Sequence, residues 1–256
     1  MAWSLVEVNS AAEVSSVETV TVAEQSLHLE LGDIICGGAF WNGGSTTVGI
    51  ASTVPNNALT MFDVVSGPTG RKFGAIGWGV VTTHDEASVM RVTFGAARDY
   101  VALIVMQFRP TAGNTVSLVA GPSSGNGNSA AVLSGNISPN GSELLVFAGA
   151  SHRETGFGGT MQIADATPDG TTALFAYGTA CYSFFGSNQS NIHSQATAGD
   201  IENWVIDILA LNSAAAGGTE VDVAAGLEQA VAVQETPTVS AIQSLFDVRK
   251  HVKMIF

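Results

Sequence analysis

The chain has 256 residues, of which 9 are Lys or Arg and 22 are Asp or Glu, so its formal net charge is −13 at pH 7. Such an acidic chain repels phosphate groups, which excludes a protein that binds nucleic acid avidly. The hydrophobic content of 46% is too high for an intrinsically disordered protein. Charged residues make up only 12% of the chain, and a surface so poor in charge indicates extensive contact with other protein, including copies of the chain itself.

The amino terminus and the apolar segments indicate neither export nor membrane insertion. Residues 1–7 contain no basic start followed by an apolar run, so no signal peptide is visible. The longest apolar stretch, residues 100–106, is far shorter than the roughly 20 residues that a membrane helix requires. Cys36 and Cys181 lack metal or redox spacing and lie among apolar neighbours, so we expect buried thiols, with a single disulfide as the alternative.

Alternating apolar and polar residues, interrupted by Gly, Pro, Asn and Ser turns, predict a chain built of β-strands. Residues 26–31 alternate without interruption, which predicts that Leu27, Leu29 and Leu31 face a core. Residues 101–108 are continuously apolar, as in a central strand that is covered on both faces. The predicted strands are 26–31, 34–40, 58–65, 73–81, 89–94, 101–108, 116–120, 143–150, 159–163, 174–182 and 204–211.

Short strands at this spacing predict an all-β fold, an antiparallel two-sheet sandwich that is jelly-roll-like and carries a C-terminal extension. No segment between residues 15 and 212 shows a helical period with caps. The polar stretches 121–129 and 186–199 contain little that a core could bury, so we expect both to be surface loops.

A change of composition after Asn212 predicts the end of the sandwich. The expected organisation is an N-terminal arm at residues 1–14, a β-sandwich domain at 15–212, and a linker with a docking extension at 213–256. Three of the nine basic residues lie in the last eight positions, together with Val, Met, Ile and Phe. The residues expected to contact the particle or another subunit are Arg249, Lys250, Lys253, Ile255 and Phe256. The alternative is that this tail packs on its own acidic domain.

No local pattern predicts a catalytic residue, a metal site or a cofactor. The five histidines lack the H-E-x-x-H or H-x-H spacing that brings two imidazoles to one metal. Residues 121–125 have the letters of a nucleophile elbow, but that mechanism requires a helix after the serine, and a Gly/Asn/Ser segment follows instead.

Two groups of aromatic residues are candidates for ligand recognition. Trp41 ends a predicted strand and opens a Gly-rich loop, where an indole could stack on a sugar. Tyr182, Phe184 and Phe185 lie beside a second loop, rich in Ser, Asn and Gly. The alternative is that these aromatic side chains cap the ends of the sandwich core.

The order of the segments resembles a jelly-roll-like domain of bacteriophage virion proteins, chiefly tail, fibre and particle-surface components. The likeness covers about residues 15–212 without an invariant motif, and the segment from residue 213 has no counterpart. The stretches that carry it are 29–36, 73–81, 89–94, 100–109 and 203–211.

This resemblance implies a structural or adhesion role in a virion, with no catalytic residues to transfer. We therefore expect a tail- or fibre-associated virion protein, made in the host cytoplasm, that binds other virion proteins and copies of itself and is not an enzyme. One alternative is a capsid decoration protein, and another is an adhesion module that binds a host surface glycan through the loop around Trp41 or the loop at residues 186–190. A third is a depolymerase of surface polysaccharide, whose carboxylate pair would come from separate strands and leave no local motif.

Overall fold

The chain separates into two units, Met1–Ala216 and Gly217–Phe256. The computed structural model describes residues 3–22, 27–53, 57–152, 161–174 and 178–216. These ranges all belong to the first unit, and the second unit, with most of the predicted docking extension, lies outside the described residues.

All regular structure in the described part of the chain is β-structure, and its strands are antiparallel. In chain order the strands are β1 (Trp3–Glu13), β2 (Val17–Thr21), β3 (Leu27–Leu29), β4 (Ile34–Asn42), β5 (Val48–Ser52), β6 (Thr60–Met61), β7 (Val65–Ser66), β8 (Lys72–Val80), β9 (Asp85–Ser88), β10 (Met90–Pro110), β11 (Asn114–Leu133), β12 (Leu144–His152), β13 (Gln162–Ile163), β14 (Gly170–Leu174), β15 (Gly178–Phe185) and β16 (Ser194–Ala215). The predicted all-β, antiparallel two-sheet sandwich is confirmed.

Two large sheets form the sandwich. The first sheet has the order β1-β10-β4-β8-β6, with β2 and β5 also pairing with β10 and β7 pairing with β8. The second sheet has the order β11-β16-β12-β15-β14, with β13 also pairing with β16. A small separate sheet contains β3 and β9. The strand β10 is long enough to pair with β1 and β4 through its second half and with β2 and β5 through its first half.

Each large sheet buries both of its faces, because alternate residues of its central strands enter different cores. On β4, Phe40 faces the core between the two sheets, which we call the inter-sheet core, while its neighbour Trp41 faces an outer core of the first sheet. On β16, Leu209 faces the inter-sheet core, and Ile208 faces an outer core of the second sheet. The continuous burial of residues 101–108 is the predicted pattern of a strand covered on both faces.

The first sheet begins earlier than the sequence pattern indicates. Residues 1–14, expected to form an arm, contain β1, which pairs with β10 from Trp3 opposite Pro110 to Glu13 opposite Val101. A bulge between Leu5 and Glu7 interrupts the register. Because a bulge reverses which residues face inward, the alternation that marks a strand is broken there.

The polar stretches were expected to be loops, and the structure differs from this expectation. Residues 121–129 lie within β11, and residues 194–199 lie within β16. An edge strand exposes alternate side chains, so Ser, Asn and Gly suit it as long as its backbone is paired. The prediction that Leu31 faces a core is also wrong. The strand β3 ends at Leu29, a turn follows, and Leu31 is 68% exposed.

The centre of the inter-sheet core is a phenyl ring held among glycines. Phe40 is fully buried, and its ring lies against Gly38 and Gly74 of the first sheet and Gly149 and Gly178 of the second. A Cβ atom added at any of these four positions would lie 2.7–2.9 Å from a ring carbon of Phe40. The ring therefore occupies the space that side chains on both sheets would otherwise fill.

Replacing one of these glycines should overpack the inter-sheet core. We expect Gly149→Ala to lower the free energy of unfolding by about 1–3 kcal/mol, because a methyl group there also approaches Ile76 at 3.2 Å. The matched control is Gly49→Ala on β5, where an added Cβ has nothing within 4 Å. Urea unfolding of both variants measures the difference, and equal losses would contradict this account of the core.

Candidate interaction surface

The outer edge of β11 is a candidate surface for strand addition. Among the described strands, β11 pairs with β16 alone, and it ends the order of the second sheet. An edge strand directs the N–H and C=O groups of every second residue away from its sheet. These groups can pair with a strand of another chain.

The hydrogen bonds of β16 show which residues of β11 direct their backbone outward. The N–H of Ser213 donates to the C=O of Glu143 at 2.9 Å, so the backbone groups of Ser213 point away from β11. Val116, which lies opposite Ser213, therefore directs its own N–H and C=O outward, and so does Leu118 two residues later. Within the described ranges, no backbone hydrogen bond outside the strand ladders uses Val116 or Leu118.

Further along β11 the edge is partly covered. The register shifts between Leu118 and Ser123, and the C=O of Ser124 accepts a hydrogen bond from the N–H of Gly135 at 3.2 Å. At the other end the N–H of Asn114 donates to the C=O of Thr111 at 3.1 Å. The regular, uncovered part of the edge is thus Thr115–Leu118.

The strand β11 itself contains no charged residue, and the Glu143 carboxylate that contacts its Asn114 side chain is hydrogen-bonded there. Residues 110–142 contain no Asp, Glu, Lys or Arg, although the chain as a whole has a net charge of −13. The strand β1, at one edge of the first sheet, differs because it contains Glu7, Glu13 and a bulge, which are common protections against strand addition. Of these two edge strands, only β11 lacks protection by charge.

Partly covered apolar side chains lie beside the β11 edge. Val116 and Leu118 pack at the margin of the inter-sheet core and are only half-buried. Phe62, Val65 and Trp78 of the first sheet pack against the same core and are also half-buried. These five residues form what we call the open flank, where the inter-sheet core is incompletely covered.

The buried polar cluster around Asp33 stabilises the fold. The buried Asp33 carboxylate accepts hydrogen bonds from the Arg109 guanidinium at 2.8 and 2.9 Å and from the Gln107 amide at 2.5 Å. The hydrogen bond with Asp33 raises the pKa of Arg109. Because both carboxylate oxygens are engaged by these donors, Asp33 serves to anchor the turn before β4 to β10.

Removing the guanidinium should leave the Asp33 carboxylate buried without its cation. We expect Arg109→Met to lower the free energy of unfolding by about 2–4 kcal/mol. The control, Arg71→Met, removes an exposed arginine and should change stability by less than about 0.5 kcal/mol. Thermal or urea unfolding separates the two variants. A small loss at Arg109 would mean that water replaces the guanidinium.

A buried carboxyl group also lies in the second sheet. Asp207 of β16 lies opposite Ser124 on one side and Gly149 on the other. Opposite residues lie on the same face of a sheet, so the Asp207 side chain points toward the inter-sheet core. Asp207 is 2% exposed, and its Oδ2 has no hydrogen-bond partner in the described part of the chain. Burial raises the pKa of Asp207 to about 7, while a hydrogen bond with Ser124 acts in the opposite direction.

This carboxyl group should make stability depend on pH. The folded protein retains the proton of Asp207 up to about pH 7, whereas a free aspartic acid side chain loses its proton near pH 3.8. Stability therefore falls as pH rises between these values, and the loss stays constant above them. Asp207→Asn should raise the free energy of unfolding by about 2–4 kcal/mol at pH 8 and much less at pH 4.

The control for this prediction is Asp63→Asn, at an exposed carboxylate. It should change stability by less than about 0.5 kcal/mol at both pH values, as measured by urea unfolding. If Asp207→Asn destabilises the protein equally at pH 4 and pH 8, the buried carboxyl group is not the source of the pH dependence.

Trp41, predicted to contact a glycan, is placed elsewhere by the structure. Its side chain is 0% exposed and lies in the outer core of the first sheet, stacked on Phe73 with ring centroids 5.9 Å apart. The indole N–H donates to the C=O of Gly44 at 2.9 Å. The prediction of a glycan contact at Trp41 is wrong because residues of β2, β3 and β5 cover this face of β4. The indole cannot stack on a sugar unless these strands move away.

The other aromatic candidates follow the alternative interpretation, in which they cap a core. Phe108 and Tyr182 pack edge to face with centroids 5.0 Å apart, and Phe184 lies 5.1 Å from Tyr182. Tyr182 and Phe184 belong to the inter-sheet core, whereas Phe185 packs against the outer core of the second sheet.

The thiols and the remaining candidates show no reactive arrangement in the described ranges. Cys36 and Cys181 are buried and free, and burial raises the pKa of both, that of Cys181 to about 12. The residues that the structure describes contain no group of three His, Cys, Asp or Glu side chains that could hold a metal ion. The predicted subunit contacts Arg249, Lys250, Lys253, Ile255 and Phe256 lie outside the described residues.

Comparison with known proteins adds no relative. No protein-family model, curated protein or solved structure matches the chain. No helix in the described part of the chain is long and apolar enough to cross a membrane. The candidate surface therefore rests on the geometry of β11 and the open flank. In the sequence, this surface is marked by the uncharged run 110–142. Only the structure shows that β11, within this run, lies at the edge of a sheet.

Proposed function

We propose that this protein is a structural subunit of a bacteriophage particle, associated with the tail or a fibre, and that it acts by assembly. The observation that carries the assembly role is the uncharged edge of β11 beside the open flank, in a chain with a net charge of −13. The phage particle as its setting is supported by the resemblance of residues 15–212 to virion domains.

The distribution of buried side chains supports assembly through edges. The three cores occupy both faces of the two large sheets, so an added partner finds open backbone groups mainly along strand edges. A strand that joins such an edge gains main-chain hydrogen bonds, and the side chains beside it provide selectivity. An edge without charge imposes no repulsion on an acidic neighbour.

The C-terminal extension supplies a second proposed contact. Arg249, Lys250 and Lys253 are cations suited to a carboxylate-bearing surface, and Ile255 and Phe256 add apolar area. Neighbouring subunits of the same acidic protein, or other particle proteins of similar charge, would provide such a surface. For the glycan-binding alternative, Trp41 is buried and only the loop at residues 186–190 is left as a candidate contact.

Deleting residues 249–256 should separate folding from assembly. We expect the shortened chain to remain folded and soluble but to enter particles at least about tenfold less than the full chain, because it lacks the basic and apolar contacts. Immunoblotting of purified particles measures incorporation. The control replaces the same eight residues with Gly and Ser, which preserves length and should fail in the same way. Normal incorporation of both variants would contradict the role of the tail.

The position of the protein on particles tests the proposal directly. Labelled antibody on purified particles should mark the tail or the fibres. Labelling of capsid faces or vertices would instead favour a capsid decoration protein, and a protein absent from the particles would overturn the proposed function.

A further inference from the structure

We infer that two copies of this chain associate by antiparallel pairing of their β11 edges, around a two-fold axis that passes midway between Ser117 of one copy and Ser117 of the other. The inference deepens the assembly role proposed above and rests on it for its biological setting. It joins the second sheets of the two copies into one continuous sheet.

The backbone geometry sets the register of this pairing. Val116 and Leu118 direct their N–H and C=O groups outward, whereas Thr115 and Ser117 direct theirs to β16. In an antiparallel pair centred on Ser117, Val116 of each copy lies opposite Leu118 of the other. Both residues of this pair present outward groups, so each donates one hydrogen bond and accepts one.

The side chains agree with the same register. Val116 and Leu118 lie on the inter-sheet face, so the pairing places an apolar side chain of one copy beside an apolar side chain of the other. This contact covers part of the open flank and removes half-exposed apolar surface from water. On the opposite face, Thr115 and Ser117 are small, exposed and uncharged, and they allow the two strands to approach.

Charge favours a second copy as the occupant. A two-fold contact brings each residue near its own equivalent, so any carboxylate near the axis would meet another carboxylate. On β1, Glu7 and Glu13 would create this repulsion, whereas residues 110–142 contain no charged side chain. The Glu143 carboxylate, which lies near the start of β11, accepts a hydrogen bond from the Asn114 side-chain amide at 3.1 Å, three residues from the axis. The β11 edge is thus a self-complementary strand edge on a chain that otherwise repels its copies.

Substitutions at the axis test the pairing in the full chain. Ser117 has an exposed side chain, so Ser117→Glu and Ser117→Lys should each fold normally while placing two like charges opposite one another. We expect the wild type to dimerise reversibly in sedimentation equilibrium, and each variant to dimerise about tenfold or more weakly. An equimolar mixture of the two variants should recover association, because Glu then lies opposite Lys.

The matched control is Asn128→Glu, at an exposed position of β11 outside the regular edge. It should leave dimerisation unchanged, and circular dichroism with thermal unfolding should show that all variants fold. A wild type that stays monomeric, or variants at Ser117 that dimerise like the wild type, would overturn the inference.

The inference and the proposed function fail separately. A wild type that is monomeric in solution but present on purified particles would overturn the β11 pairing and leave the particle role standing. A wild type that dimerises through Ser117 but is absent from particles would support the pairing and overturn the particle role.

Discussion

The fold depends on the fit of one phenyl ring between two sheets. Phe40 is held by Gly38 and Gly74 on its own sheet and by Gly149 and Gly178 on the other, at distances that leave no room for a methyl group. A shift of one residue in any of these strands would replace a glycine by a side chain or turn it to the other face. The ring thus sets the register of the central strands, and the register decides which side chains enter each core.

This packing explains where the molecule can still bind. Since both faces of each large sheet are buried, the backbone of the edge strands is the main hydrogen-bonding surface left open. The first sheet protects β1 with Glu7, Glu13 and a bulge, but β11 keeps an uncharged edge beside half-buried apolar side chains. The acidic composition makes this difference important, because copies of the chain repel each other wherever carboxylates meet.

Local patterns predicted part of this structure correctly. The apolar run 101–108 identified a strand covered on both faces, and the Gly/Pro/Asn/Ser turns identified an antiparallel all-β fold. The same patterns failed for residues 121–129, whose polar side chains suit an edge strand as well as a loop, and for Trp41, which was expected at a binding surface. The first failure concerns strand pairing and the second concerns burial, and both depend on contacts between distant segments.

The amino-acid sequence by itself determined the class of fold, the scarcity of charge and the position of the uncharged run 110–142, because strand periodicity and composition are local properties. Only the tertiary structure decided that Trp41 and Asp207 are buried and that β11 lies at the edge of its sheet. The physical reason is that burial and strand order arise from pairing between segments far apart in the chain. Asp207, for example, is enclosed by contacts with Ser124 and Gly149 that no local period records.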